Sequence, residues 1–419
     1  MSRFQFLRRT FSMLLCAFLI ATMATPASAQ VYPPYLESEA AILMDAETGQ
    51  VLFEKNSHQV MYPASITKIM TGMLALTHLK PDQKITISQE NFDSVPRDSS
   101  NLGLEPGEEL TVEQALYALA MVSANEAANA LGEAVSESPE EFAALMTETA
   151  HELGAMDTHF ANASGLPDPE HYTTAYDMAL ITAQALKTPD FCKYFSTVNY
   201  YMLPTNLYPD IRVLVNHNKI LGGQYTYSGV LMSKTGWTSA AMGTLVTAAK
   251  RGDTTLIVVT LKSQYLEDKY QDTYALLDYG LSQFQKTTLS GADLTAALPA
   301  EGLEAVDGQE YCLLLPTEMA LSDFEWSING APDLASVRTQ TEVTLSGSTE
   351  GLTLPELTLQ LYRPAPEETQ PPATEAPAET EAESATFPWA AVVIAIASLT
   401  LIIAVALIYR RQSLRVPTA

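Results

Sequence analysis

The chain of 419 residues carries 23 Lys and Arg against 49 Asp and Glu, a formal net charge of −26. That length predicts two to three domains, and 47% hydrophobic against 17% charged residues excludes a disordered chain. The acidity argues against non-specific nucleic-acid binding, which needs clustered Lys and Arg, and three cysteines cannot make a disulfide framework.

In chain order, the first feature is an export signal. Arg3, Arg8 and Arg9 make a basic start, residues 11–23 are apolar apart from Ser12 and Thr22, and Ala27-Ser28-Ala29 supplies the small residues a signal peptidase reads. Residues 1–29 are therefore expected to be a signal peptide cut after Ala29. A lipoprotein anchor on Cys16 fits less well: Leu14-Leu15 is a poor lipobox, and the apolar run continues past the cysteine.

Residues 40–55 read as a hairpin, with Ala41-Ile42-Leu43-Met44 and Val51-Leu52-Phe53 around a turn that holds Gly49. Ile66, Ile69, Met70, Met73 and Leu74 recur at helical spacing. Thr111 and Gln114 make a capping box ahead of Leu116, Leu119 and Ala120. Ser138-Pro139-Glu140-Glu141 starts another helix, which Gly154 stops, and Thr174-Ala175-Tyr176-Asp177 opens a further one. Residues 60–188 are thus mainly helical. Beyond Gly229, residues 230–234, 244–248 and 256–261 read as strands and 272–285 as a returning helix. Strands at both ends bracket a helical block, so residues 30–284 are expected to form one sheet with helices on both sides.

Residues 285–363 read as a small all-β domain, with strands at 311–315, 335–338, 342–345 and 352–361. Residues 364–386 hold five prolines and six glutamates and no basic residue, the composition of an extended, solvated linker. Residues 387–409 carry no charge and are long enough, at about 1.5 Å per residue, to cross a bilayer as one helix. Arg410, Arg411 and Arg415 put the tail, 410–419, in the cytoplasm. The expected product is a single-pass cell-membrane protein whose bulk is extracytoplasmic. Cys192 and Cys312 read as unpaired, the Glu-rich stretch 105–109 as a solvated face, and the six histidines as surface or satisfied loop residues without metal-ligand spacing.

Three short motifs could carry chemistry. Ser65-Ile66-Thr67-Lys68 places an amine one helical turn from a hydroxyl. A serine becomes a nucleophile when a neighbour takes its proton, and a lysine can do so once burial and a second cation lower its pKa. A helix N-terminus also favours a developing oxyanion. Ser-x-x-Lys alone is expected about once or twice by chance in such a chain. Lys234-Thr235-Gly236 ends an apolar strand; positions 234 and 236 share a face, so the cation can bind a carboxylate and depress Lys68 while the glycine admits a substrate backbone. This triplet is expected by chance in about one chain in ten. Ser123-Ala124-Asn125 follows the helix that begins at Thr111. Its hydroxyl could shuttle a proton to a leaving amine, and its amide could hold a substrate carbonyl or Lys68. Ser99-Ser100-Asn101 and Ser327-Ile328-Asn329 match the same pattern, but only Ser123 stands at a helix boundary between the other two motifs.

Ser-x-x-Lys, Ser-x-Asn and Lys-Thr-Gly in this order resemble the motif set of penicillin-binding proteins and serine β-lactamases. Pro63-Ala64-Ser65-Ile66-Thr67-Lys68-Ile69-Met70-Thr71, Val122-Ser123-Ala124-Asn125-Glu126-Ala127-Ala128, Asn162-Ala163-Ser164-Gly165-Leu166-Pro167, His171-Tyr172-Thr173-Thr174-Ala175-Tyr176-Asp177-Met178-Ala179 and Lys234-Thr235-Gly236-Trp237-Thr238 look like the secreted serine-type D-alanyl-D-alanine carboxypeptidases, over about residues 35–283. The resemblance implies an α/β (α+β) β-lactamase/transpeptidase-like catalytic domain ahead of the all-β domain and the transmembrane helix. It implies a hydrolase that removes the terminal D-alanine from peptidoglycan stem pentapeptides through a serine acyl-enzyme, uses no cofactor or metal, and is acylated by β-lactam antibiotics. Ser65 would be the nucleophile, Lys68 its proton acceptor, and Ser123 with Asn125 the proton relay. Lys234, Thr235, Gly236 and Trp237 would bind substrate, Lys234 through the terminal carboxylate and Trp237 with Ser65 through oxyanion-hole amides. The family often has a basic residue after the last strand; Lys269 is the nearest match. A serine β-lactamase would need a deacylating base, and no Glu-x-x-x-Asn element lies between Ser123 and Lys234. A non-catalytic, anchored peptidoglycan-binding protein would not need all three motifs.

Overall fold

Strand β1, Ala40–Asp45, is buried at every position. It pairs antiparallel with β2, Val51–Lys55, in the expected hairpin. Asp45 closes the connection by accepting from the Thr48 backbone N–H at 2.8 Å and from its hydroxyl at 2.7 Å. The computed structural model describes residues 33–364, apart from 299–301, 307, 330–336, 338–339 and 350–351. The expected signal peptide, linker beyond Pro364, span at 387–409 and tail lie outside the described residues. Among the described residues, no helix is long and apolar enough to cross a membrane.

The helical block opens with α1, Lys68–His78. A small hairpin, β3 at Lys84–Thr86 and β4 at Glu109–Thr111, brackets the short helix α2, Gln89–Asp93. Helix α3, Val112–Met121, carries the expected capping box between Thr111 and Gln114. Helix α4 spans Asn125–Val135. Helix α5, Pro139–Glu152, has Ser138 as its N-cap, whose hydroxyl accepts from the Glu141 N–H that the helix cannot bond internally, and a proline at its start, which has no N–H to satisfy. Helix α6, Ala175–Lys187, is capped by Thr174, and the short α7, Phe191–Phe195, follows.

A second hairpin, β5 at Asn199–Met202 and β6 at Arg212–Val215, was not expected. It is tied down by Arg212, whose guanidinium donates to both carboxylate oxygens of Glu108 at 2.6 and 3.2 Å. Glu108 is buried, which corrects the reading of 105–109 as a wholly solvated face. Strands β7, Val230–Thr238, β8, Met242–Arg251, and β9, Thr254–Ser263, each extend beyond the expected ranges, and α8, Asp268–Gln283, begins four residues early.

The main sheet runs β2-β1-β9-β8-β7, antiparallel throughout. It is buried on both faces, and alternation divides its side chains between two cores. Ile42 and Met44 of β1 and Ile257, Val259 and Leu261 of β9 join the apolar faces of α1 and α3–α6 in one core. Ala41, Leu43, Leu256 and Val258 face the other way, onto Leu276 and Leu277 of α8. Burying each Leu or Ile contributes about 1.5–3 kcal/mol.

That second core continues into residues 285–363. Strand β10, Phe284–Ser290, leads into a two-turn helix α9, Gly291–Ala297, an element the all-β reading lacked. Strands β11, Glu304–Ala305, and β12, Glu310–Pro316, follow; β12 pairs with β10. Then come β13 (Glu325–Asn329), β14 (Thr341–Thr349), β15 (Leu352–Thr353) and β16 (Leu357–Tyr362), in a sheet ordered β11-β16-β14-β13 with β15 on β14. Of the strand expected at 335–338, all but Val337 lies outside the described residues. The buried Gln50 amide bridges the two regions, donating to Leu314 O and accepting from Leu314 N, both at 2.8 Å.

Candidate active site

Residues Ala64–Thr67 form a 3₁₀ turn that runs directly into α1 at Lys68. In such a turn positions i and i+3 eclipse, and Lys68 Nζ stands 3.1 Å from Ser65 Oγ. Ala64 takes the left-handed conformation, φ +51°, which costs a non-glycine residue about 1–2 kcal/mol. The surroundings hold it there. Thr67 Oγ1 donates to Ala64 O at 2.9 Å, and Thr244 Oγ1 of β8 donates to Pro63 O at 2.9 Å. Two glycines permit the packing. A Cβ on Gly165 would lie 1.9 Å from Ala64 O, and one on Gly236 would lie 2.8 Å from Ser65 N.

Lys68 is fully buried, and its Nζ has two further partners: Asn125 Oδ1 at 2.7 Å and Ser164 O at 2.6 Å. Both are acceptors only. They can take the two N–H bonds of a neutral amine, which leaves its lone pair for the Ser65 hydroxyl proton. Burial pushes the Lys68 pKa well below its usual value, and the Lys234 charge adds to the fall; the Glu126 carboxylate acts in the opposite direction. The geometry and the electrostatics both suit a base rather than a fixed cation.

Helices α3 and α4 break at Ser123, which also stands in the left-handed region, φ +60°. The Asn125 amide is fixed from outside: Nδ2 donates to Ser99 Oγ at 3.1 Å, and its backbone N–H donates to Ser100 O at 3.0 Å. That aims Oδ1 at Lys68. Next to it, buried Glu126 accepts from Leu102 N at 2.6 Å and from Leu104 N at 3.4 Å, holding the loop that carries Ser99.

Lys234 lies in the middle of β7, with Nζ donating to Ser123 Oγ and to Thr235 O, both at 3.0 Å. Burial and then the Lys269 charge lower its pKa to about 7. Lys269 is itself buried and brought down to about 8, chiefly by burial. It reaches from α8 to Thr235 Oγ1 at 2.6 Å, Gly236 O at 3.1 Å and Thr244 O at 3.3 Å. Strand β7 is the sheet edge, so one side of its backbone is free to pair with an extended peptide.

The eight site residues read from the sequence thus gather in one place. Ser65, Lys68 and Asn125 are in direct contact, Lys234 touches Ser123, Gly236 adjoins Ser65 N, Thr235 is held by Lys269, and Trp237 stands exposed further along β7. Sequence reasoning gave no role to the Ser164 carbonyl. The available signal was Asn162-Ala163-Ser164-Gly165: Asn162 Oδ1 caps the turn by accepting from the backbone N–H groups of Ser164, Gly165 and Leu166. Cys192 and Cys312 are free thiols.

A serine beside a buried lysine, with a second lysine on a second serine at the edge of an antiparallel sheet, defines an acyl-transferring serine hydrolase of the penicillin-binding, transpeptidase-like α/β fold. The family model for D-alanyl-D-alanine carboxypeptidase, peptidase S11, matches residues 27–264. The chain is 33% identical over 302 residues to D-alanyl-D-alanine carboxypeptidase DacF of Bacillus subtilis, covering 70% of this chain and 75% of that one. The Streptomyces K15 DD-transpeptidase superposes with TM-score 0.56 at 29% identity, over 60% of this chain and all of its own. DacD of Francisella tularensis shares the fold, with TM-score 0.67 at 23% identity over 82% of this chain and 97% of its own. The chain belongs to the D-alanyl-D-alanine carboxypeptidase family and is a cell-wall peptidase of the penicillin-binding protein group.

Proposed function

We propose that the enzyme trims the terminal D-alanine from peptidoglycan stem pentapeptides with Ser65 as the nucleophile. Lys68 takes the hydroxyl proton as Oγ attacks the carbonyl carbon of the penultimate D-alanine. The backbone N–H groups of Ser65 and Trp237 receive the oxyanion. The Ser123 hydroxyl passes a proton to the departing D-alanine nitrogen as the peptide bond breaks, while Asn125 Oδ1 holds the Lys68 amine in place. Lys234, kept cationic, takes the terminal carboxylate, with Thr235 and Gly236 lining its approach. Water then cleaves the Ser65 ester. A β-lactam undergoes the same attack, but its amine stays tethered, so the adduct is expected to be long-lived. The observation that carries this reading is the fully buried Lys68 amine, shared by Ser65 Oγ, Asn125 Oδ1 and Ser164 O.

The test is D-alanine release from a defined pentapeptide, together with covalent labelling by a fluorescent penicillin. Ser65→Ala should lose both. Retained labelling would refute the nucleophile, and label that turns over rapidly in the wild type would point to a β-lactamase, which membership of the carboxypeptidase family does not favour. We further propose that residues 285–363 form a mainly β domain that shares its core with the domain before it, that 1–29 export the chain, and that 364–386 tether it to a membrane span at 387–409 with the site outside the cell. The sequence of the terminal segments supports the last two.

A further inference from the structure

His171 is buried, its ring stacked edge-on against Phe160 at a centroid distance of 5.5 Å, and it takes no part in the steps above. Its hydrogen bonds run in one direction. The Ala161 backbone N–H, which can only donate, reaches His171 Nδ1 at 3.0 Å. Nδ1 therefore carries the lone pair, and the neutral ring keeps its proton on Nε2. Nε2 lies 2.8 Å from Thr67 Oγ1, so it donates there. Thr67, its oxygen already accepting, sends its own proton to Ala64 O at 2.9 Å. The chain ends on the carbonyl that Gly165 packs against and that belongs to the strained residue before Ser65.

A peptide unit is planar, so the direction of Ala64 C=O fixes the direction of Ser65 N–H. We propose that His171 and Thr67 are positioning residues, which hold the Ala64–Ser65 peptide plane so that the Ser65 N–H meets the substrate carbonyl oxygen. The inference rests on Ser65 as nucleophile. It gives Thr67, inside the Ser-x-x-Lys motif, a task separate from those of the serine and the lysine.

The test is penicillin acylation of the full-length protein, resolved into the dissociation constant of the first complex and the acylation rate constant. Thr67→Val keeps the shape and removes the hydroxyl; Thr67→Ser keeps the hydroxyl. Thr67→Val should slow acylation about 10- to 100-fold with the dissociation constant little changed, since a misplaced donor weakens only the transition state. Thr67→Ser should stay close to the wild-type rate. His171→Phe should slow acylation similarly, and the double variant Thr67→Val/His171→Phe should be no slower than the slower single variant, because both act through one chain of bonds. Wild-type acylation by Thr67→Val, equal losses in Thr67→Val and Thr67→Ser, or fold-losses that multiply in the double variant would each overturn the proposal. If His171→Phe does not fold, the two Thr67 variants decide alone. Labelling that survives Ser65→Ala would overturn this inference together with the nucleophile; an inert Ser65→Ala beside a fast Thr67→Val would remove only the role of His171 and Thr67.

Discussion

Three buried lysines stand in series, Lys68, Lys234 and Lys269, and each lowers the proton affinity of the one before it or is lowered by burial itself. Their partners differ in kind. Lys68 has two pure acceptors and a serine, Lys234 a serine and a carbonyl, and Lys269 a threonine and two carbonyls. In the proposed mechanism Lys68 loses its proton to act, so activity should rise with pH through its depressed pKa. In the same mechanism Lys234 keeps its proton to hold a carboxylate, so activity on D-Ala-D-Ala peptides should fall as pH passes its own pKa, near 7 in the free enzyme. The kcat/KM profile of the peptide should be a bell, and that of a neutral ester lacking the carboxylate should lose the alkaline limb. Identical profiles would remove Lys234 from carboxylate recognition. Lys68→Ala should cut acylation by about 10²–10⁴-fold or more, measured by penicillin labelling.

At the scale of elements, the site joins three turns to the edge strand β7 and to the first residues of α1 and α4. The turns are the 3₁₀ turn at 64–67, the Ser123 break and the Asn162-capped turn at 162–166. Gly165 has φ +81° and no room for a Cβ against Ala64 O. Gly165→Ala should therefore destabilise the fold by about 2 kcal/mol or more and abolish acylation in whatever protein remains folded. A Gly165→Ala protein with native melting temperature and rate would show that this turn does not set the nucleophile. Much of this scale was legible in the sequence, because caps write themselves locally: Thr111 with Gln114, Ser138 before Pro139 and Thr174 each open a helix as read. The hairpin of β5 and β6 was not legible. Its strands are four residues each, and it shows Tyr201, Val213 and Val215 to solvent, so no alternation of apolar and polar residues marks its buried side. Glu108 was misread for a related reason: its partner Arg212 is 104 residues away. The Ser164 carbonyl escaped because a backbone acceptor carries no residue-type signature.

For the whole molecule, the strand pairing that encloses the helical block, β1 with β9, β9 with β8 and β8 with β7, also brings residue 234 to residue 123; in the sequence the three motifs were joined only by their resemblance to a known set. Buried His171 has a pKa lowered to about 3, mainly by desolvation, with Asp168 opposing and His159 and Lys68 adding to the fall. The unfolded chain takes that proton near pH 6.5, so folding loses up to about 1.4 kcal/mol per pH unit from there downward. Denaturant melts at pH 7, 6 and 5 should show this loss, and a folded His171→Gln protein should show a flatter trend; equal slopes would mean His171 is not buried neutral.

The pairing of β1 with β9 joins Ala40 to Leu261, and Thr244 reaches back to Pro63. Ser65, Lys68 and Ser123 all leave the ribosome long before the strands that shape their cleft. A nascent chain stopped short of β8 would carry every candidate nucleophile and base yet remain blind to penicillin, so drug labelling during synthesis would report the moment when the last central strand docks.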